Sequence, residues 1–175
     1  VELAIGVLFR GVPKEAAAHW YVRSRSLRTL EPLKERVLAC LQAGADASGC
    51  TMTYQWEYPA YADMVDNPTL VELYTANAAA TGRTLLDPAD VPGVVGSTDM
   101  GNVSHLVPSI HPMIAVSPPN ISIHSPEFTA YAASEAGDKA VLDGAKAMAM
   151  TVADLWLQPG LVDAAKAEFA AAHGS

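Results

Sequence analysis

Positive charge is scarce in this chain. Against 19 Asp and Glu stand only 11 Lys and Arg, and no basic stripe gathers them, so nucleic acid is not an expected partner. Long apolar runs are missing too: no stretch reaches the roughly 18 residues that a membrane span needs, and no membrane partner is expected. Two cysteines, Cys40 and Cys50, are too few for a disulfide framework and read as reduced thiols of a cytoplasmic protein. No signal peptide is visible, while the start at Val1 instead of Met points to sequence upstream. Dinucleotide, phosphate-loop and nucleophile-elbow patterns (G-x-G-x-x-G, the P-loop, G-x-S-x-G) do not occur. Neither do H-x-D, H-E-x-x-H or a paired-Glu signature, so no complete hydrolytic zinc site is written locally.

What is present is an apolar, acidic chain of 175 residues, half of it hydrophobic, with net charge -8. That suits one domain or parts of two with a buried core. Val1 to Phe9 is β-prone and apolar, and Gly11-Val12-Pro13 turns the chain. Ala17 to Arg25 alternates: Ala18, Trp20 and Val22 share one face, His19, Tyr21, Arg23 and Arg25 the other, which predicts a strand with one buried side. Thr29 is placed to cap a helix carrying Leu30, Leu33, Val37, Leu38 and Leu41 at helical spacing, with Pro32 in its first turn and Gly49 as its stop. Thr51 to Tyr58 alternates again, with Met52, Tyr54, Trp56 and Tyr58 on one face. Strand, strand, helix, strand makes a small α+β layer.

Pro59 to Asp66 reads as a crossing between two domains. Asn67 caps a second helix, with Pro68 at its first position, that runs to about Gly82. A Pro- and Asp-rich loop, Leu86 to Pro92, leads to Gly96–His124, which has loop composition except for Met113 to Val116, an expected buried strand. Beyond His124 the chain reads as helical to its end. Val141, Leu142, Ala145, Met148, Val152, Leu155 and Trp156 form one stripe of a long helix, with Met148 and Met150 expected in the core. Pro159-Gly160 breaks that helix before a last amphipathic one.

Gly96–His124 gathers the titratable groups, and loops held by a scaffold commonly carry function. His124 precedes Ser125-Pro126-Glu127, a helix start. A neutral imidazole there suits a metal, and a surface or capping histidine is the competing reading. Asp99 reads either as a turn-forming residue or as a carboxylate that orients a ligand or substrate. His105 and His111 flank Val107-Pro108 and are open to structural readings. On the first alternating segment, His19, Arg23 and Arg25 make either a solvated face or an anion clamp, since guanidinium grips carboxylate bidentately.

Three strings, STDMGNVSHLVPSIHP, IHSPEFTAYAAS and AKAMAMTVADLW, resemble the C-terminal portion of the aminoacylase- and carboxypeptidase-type metallo-amidohydrolases. The branch containing aminobenzoyl-glutamate hydrolases and related dipeptidases is the most similar. HWYVRSRSLRTLEPLKERVLACLQAGADASGCTM resembles the second half of that family's small lid domain, so the likeness runs from about Pro13 onward. It implies an α/β enzyme of two domains. Residues 1–58 would end a ferredoxin-like α+β lid that makes the homodimer, and 59–175 would close an α/β catalytic domain. It implies two divalent metal ions, zinc or manganese, whose bridging water attacks an amide carbonyl while a carboxylate takes the proton. The substrate would be an N-acyl amino acid or a dipeptide-like amide. By the same resemblance His124 is a metal ligand and Asp99 the catalytic acidic position of the Gly-Ser-acid loop. Arg23, His19, Asn102 and His105 would face substrate, with Arg23 on its carboxylate. The family's other ligands, its bridging carboxylate and its glutamate base would lie upstream of Val1, and Val1–Gly11 lacks the family's Gly-rich, Asn-Pro lead-in. The chain is therefore expected to need the enzyme's missing N-terminal half as partner, or else to be a catalytically incomplete subunit that supplies a dimer interface.

Overall fold

Ser26, not Thr29, opens the first helix. In the computed structural model, which describes residues 14–86 and 96–174, Ser26 is extended and its hydroxyl accepts the Thr29 N–H at 3.3 Å. Thr29 turns its own hydroxyl back to the Ser26 carbonyl. A serine three residues upstream thus takes the capping role, and α1 (Leu27–Ser48) begins earlier than the sequence suggests. It ends where Gly49 takes up φ 68°, with the Gly49 and Cys50 N–H groups returning to the Asp46 and Ala45 carbonyls. That left-handed residue and its pair of bonds close the last turn.

The chain divides into two units, Val1–Tyr58 and Pro59–Ser175. In the first, the expected strands at Ala17–Arg25 and Thr51–Tyr58 form no ladder, and the described residues contain no β-strand. Two short extended segments gain little from pairing unless a wider sheet supports them. Val1 to Phe9, the turn at Gly11-Val12-Pro13 and the loop beyond Leu86 lie outside the described residues. The predicted faces also divide: Met52 and Trp56 are half-buried while Tyr54 and Tyr58 are exposed. Trp20 is 43% exposed and only Val22 of its face is half-buried. Lys34 ties α1 to the later segment, its Nζ 4.9 Å from the Trp56 ring centroid. The hydrogen bond that Lys34 donates to the Glu31 carboxylate, above all, holds the Lys34 pKa above its usual value.

The second unit is helical. α2 (Pro68–Ala80) starts at Asn67, whose side chain accepts the Leu70 N–H, with Pro68 at the first position. α3 (Met100–Ser104) is a single turn in the stretch read as loop. α4 (Pro126–Ala132) starts at Ser125, whose hydroxyl accepts the Phe128 N–H at 3.1 Å. α5 (Glu135–Leu157) and α6 (Pro159–His173) meet at Gln158, so the Pro159 break falls where a helix cannot donate an N–H. Met113 to Val116 is not a strand, and Met113 is 75% exposed.

α5 inverts the expected core. Its buried residues are Gly137, Ala140, Asp143, Ala147 and Thr151. This small-residue face lies against α2, whose Tyr74 and Ala78 form the apolar cluster with Ala147. Small side chains let two helix backbones approach closely. The large residues of the predicted stripe point away: Val141 is 71%, Met148 56% and Trp156 83% exposed. Met150 is half-buried. Polar bonds reinforce the α2–α5 contact, with Asn77 Nδ2 donating to Asp154 Oδ2 at 2.8 Å and to Thr151 Oγ1 at 3.2 Å. Past α2, Arg83 donates from Nε to Asp143 Oδ2 at 2.7 Å and from Nη1 to the Ala115 carbonyl at 2.9 Å. Lys139 shares Asp143 Oδ2, and its hydrogen bond, followed by that of Arg83, holds this carboxyl below the usual carboxylate range.

Candidate functional site

Around α3 the sequence G-N-V-S-H is spent almost entirely on one neighbour, the extended segment 60–65. Gly101 is buried flush against it, where a Cβ would lie 2.0 Å from the Ala62 carbonyl oxygen. Asn102 bridges the same backbone with both ends of its amide. Its Oδ1 accepts the Ala62 N–H at 3.1 Å and its Nδ2 donates to the Ala60 carbonyl at 2.9 Å. Ser104, fully buried, accepts the Val65 N–H at 3.0 Å and donates to the Gly101 carbonyl. His105 Nε2 lies 3.0 Å from the Asp63 carbonyl and 3.9 Å from Asp63 Oδ1, and its ring stands edge-on to His173. Just beyond, Asn67 N–H donates to the Ser109 carbonyl, and Asp66 and Ser109 make the isolated parallel bridge.

Of the residues chosen from sequence as facing substrate, Asn102 and His105 are therefore brought together, on backbone. Each spends its polar atoms on residues 60–63, which satisfies buried groups that would otherwise be costly. Gly101 and Ser104, which sequence reasoning passed over, complete the clamp. A glycine directly before an asparagine was the available signal, since close backbone approach demands the missing Cβ.

Asp99 sits immediately before α3. Its side chain makes no capping bond, it is exposed, and among the described residues its one polar neighbour is the Thr98 hydroxyl at 3.5 Å. The Met100 N–H is taken instead by Thr98 Oγ1. The clamp thus fixes the turn that carries Asp99 while leaving its carboxylate unengaged by any other described residue.

His124 stands in backbone that only glycine adopts freely, at φ 65°, and among the described non-glycine residues it alone has a positive φ. For an L-residue this conformation costs about 1–2 kcal/mol, and such strain collects at functional positions. The imidazole is exposed and has no partner among the described residues. It borders a surface depression shared with Ile123, Pro126, Phe128 and Thr129. Because Ser125 caps α4 and Pro126 occupies its first turn, the backbone after His124 is set independently of the ring.

In the first unit, His19 Nε2 lies 3.6 Å from Glu57 Oε2 and the ring stacks on Tyr21. Arg23 is exposed and unpaired among the described residues, as is His111 in the second unit. No group of three or more His, Cys, Asp or Glu side chains close enough to hold a metal occurs among the described residues. They do not by themselves fit a two-metal centre. What they offer to one is His124, a free imidazole beside a depression. Among the described residues no helix is long and apolar enough to cross a membrane.

Comparison with known proteins adds what the geometry alone does not. No family model matches the chain. A mouse (Mus musculus) protein named Xaa-Arg dipeptidase is 34% identical over 159 residues, covering 90% of this chain and 37% of the relative. The human (Homo sapiens) protein of the same name is 31% identical over 159 residues, covering 90% of this chain and 36% of the relative. The chain is thus similar to peptidases over nine-tenths of its length, and spans little more than a third of the curated relatives it matches.

Proposed function

We propose that this chain is the C-terminal portion of a metal-dependent peptidase of the amidohydrolase type that cleaves the amide bond of a dipeptide-like substrate. The observation that carries this reading is the 159-residue similarity to two proteins named for cleaving Xaa-Arg dipeptides. In this reading residues 59–175 close an α/β catalytic domain, and residues 1–58 end a lid through which two copies pair in the cytoplasm.

His124 is the metal ligand this chain supplies. Its strained backbone, free ring and independently capped neighbour suit a side chain held for a partner instead of for stability. The remaining ligands for two divalent ions, zinc or manganese, come from polypeptide outside these residues. Bound there, the metals would polarise the scissile carbonyl and activate water. Asp99, presented on a clamped turn, is the carboxylate of the site. Arg23 addresses the substrate's carboxylate, because a guanidinium with no partner among the described residues keeps its paired donors for a ligand, and His19, beside Glu57, shares that role. Asn102 and His105 serve that arrangement as positioning residues, holding the Asp99 turn against segment 60–63.

A second reading is that these residues act as a catalytically incomplete subunit that contributes an interface. It is favoured by the lack of any three-donor cluster among the described residues. One experiment separates the two. Hydrolysis of Xaa-Arg dipeptides and metal content are measured for the whole polypeptide to which these residues belong, with His124→Ala and His111→Ala variants. The peptidase reading expects His124→Ala to lose at least about 100-fold in turnover together with bound metal, and His111→Ala to behave as the parent. Normal turnover with full metal in the His124 variant would sink it.

A further inference from the structure

Two imidazoles meet in the second unit, and each keeps one ring nitrogen in reserve. His105 follows α3 as its C-cap, and His173 is the last residue of α6. Their rings stand edge to face, 5.5 Å between centroids and 85° between planes. His105 Nε2 lies 3.0 Å from the Asp63 carbonyl, and His173 Nδ1 lies 2.9 Å from the Phe169 carbonyl. A carbonyl oxygen can only accept, so each of these two nitrogens carries a proton. The neutral rings are therefore opposite tautomers. The lone pair is on Nδ1 in His105 and on Nε2 in His173, and no described residue bonds either atom.

A histidine that ligates a metal donates its other ring N–H in this way. The bond to a carbonyl fixes the tautomer and the ring, and makes the free nitrogen a better donor to the ion. Here the arrangement occurs twice, on adjacent rings. At a Zn–N distance of about 2.0–2.1 Å an ion sits about 3.2 Å from each ring centroid, and at the tetrahedral angle the two centroids lie about 5.2 Å apart. The observed 5.5 Å is close to that. The surroundings favour a cation. Asp63 Oδ1 is 3.9 Å from His105 Nε2, and His173 stands at the carbonyl end of α6, where the helix dipole is negative. Phe169 lies 4.2 Å from the His173 ring, centroid to centroid, and limits its rotation. His173 is exposed and His105 half-buried, so an ion reaches both from solvent. Two imidazoles are fewer than the donors of a closed structural site, and water takes the remaining positions.

We propose that His105 Nδ1 and His173 Nε2 together take one zinc ion, or another divalent ion that prefers imidazole, while both rings keep their carbonyl bonds. The ion ties the last turn of α6 to the turn that ends α3, and so braces the clamp on segment 60–65. This inference does not rest on the peptidase reading. It concerns two imidazoles to which that reading gives no metal, and it is read as zinc binding without any hydrolysis.

The test is titration of the metal-stripped chain with zinc chloride, followed by calorimetry. One equivalent is expected at a site whose affinity falls at least about ten-fold in His173→Ala and in His105→Ala, and is unchanged in His111→Ala. Zinc raises the thermal midpoint of the parent and not that of His173→Ala. His173→Ala is the deciding variant, because its side chain is exposed at a helix end and its loss leaves the far-ultraviolet circular dichroism as in the parent. Long-range proton–nitrogen spectra identify the bonded atoms: zinc shifts His105 Nδ1 and His173 Nε2 and spares the other nitrogen of each ring. Three results overturn the inference. The first is no zinc bound by the parent. The second is an affinity in His173→Ala equal to that of the parent. The third is zinc held through His173 Nδ1, which would require the bond to Phe169 to be broken.

Discussion

Replacing Gly101 by alanine puts one methyl group where the protein has none to spare. The new Cβ would lie 2.0 Å from the Ala62 carbonyl oxygen and 2.8 Å from its carbon. Both are backbone atoms, so no rotamer change relieves the overlap. Either α3 or segment 60–63 must retreat by at least about 1 Å to restore ordinary contact. Four hydrogen bonds cross that seam: two at Asn102, one at Ser104 and one at His105, all between 2.9 and 3.1 Å. Lengthened by that much they cease to be hydrogen bonds. Overpacking of this kind costs about 1–3 kcal/mol, and each buried bond that fails adds about 1 kcal/mol, less than additively because they share one seam. A loss of about 3 kcal/mol follows, a large share of the roughly 5–15 kcal/mol that holds a domain together. Urea unfolding followed by circular dichroism reads it as a midpoint lower by roughly 1–2 M. Gly144→Ala is the paired control. That Cβ meets only Ile114 Cδ1 at 3.5 Å and lies inside α5, so it should gain up to about 1 kcal/mol from helix propensity. If Gly101→Ala costs less than about 0.5 kcal/mol, the clamp is not what holds α3 to segment 60–65.

Asn67→Ala removes both the cap on Leu70 N–H and the buried bond from Nδ2 to the Ala165 carbonyl, and should cost about 2–3 kcal/mol in the same assay. Asp143→Asn tests the Arg83 and Lys139 bonds by pH. A carboxyl whose folded pKa lies below its ordinary 3.8 stabilises fully above that value and loses the contribution as pH falls through the lower one. The gap between parent and variant should therefore narrow on going from neutral pH to below 3.8, and a gap that widens would contradict the pairing. His124→Gly should raise the thermal midpoint, by the equivalent of about 1 kcal/mol, since glycine adopts φ 65° without strain. A drop would show that the imidazole contributes to stability.

The local punctuation of the chain was legible before any coordinates. Asn67-Pro68, Ser125-Pro126, the Gly49 stop and the Pro159 break are decided by a few neighbouring atoms: a side-chain oxygen on a free N–H, a ring without a donor, a missing Cβ. His124 and Asp99 were singled out from residue type and surroundings, and their roles belong to the proposed function. Where that signal was shared by two residues the choice failed, as when Ser26 outcompeted Thr29. Hydrophobic spacing identified α5 as a helix but named the wrong face as its core. Period alone cannot tell which of two apolar faces is buried, and here the small residues met α2 while Val141, Met148 and Trp156 stayed outside. The clamp of Gly101, Asn102, Ser104 and His105 on segment 60–65 joins residues some 40 positions apart, and the strain at His124 is a backbone angle with no residue type of its own. Sequence by itself determined the starts of α2, α4 and α6 and the stop of α1, because those choices are made within one turn of chain. Only the tertiary structure decided which faces and which polar atoms are used, because that depends on which distant surfaces arrive beside them.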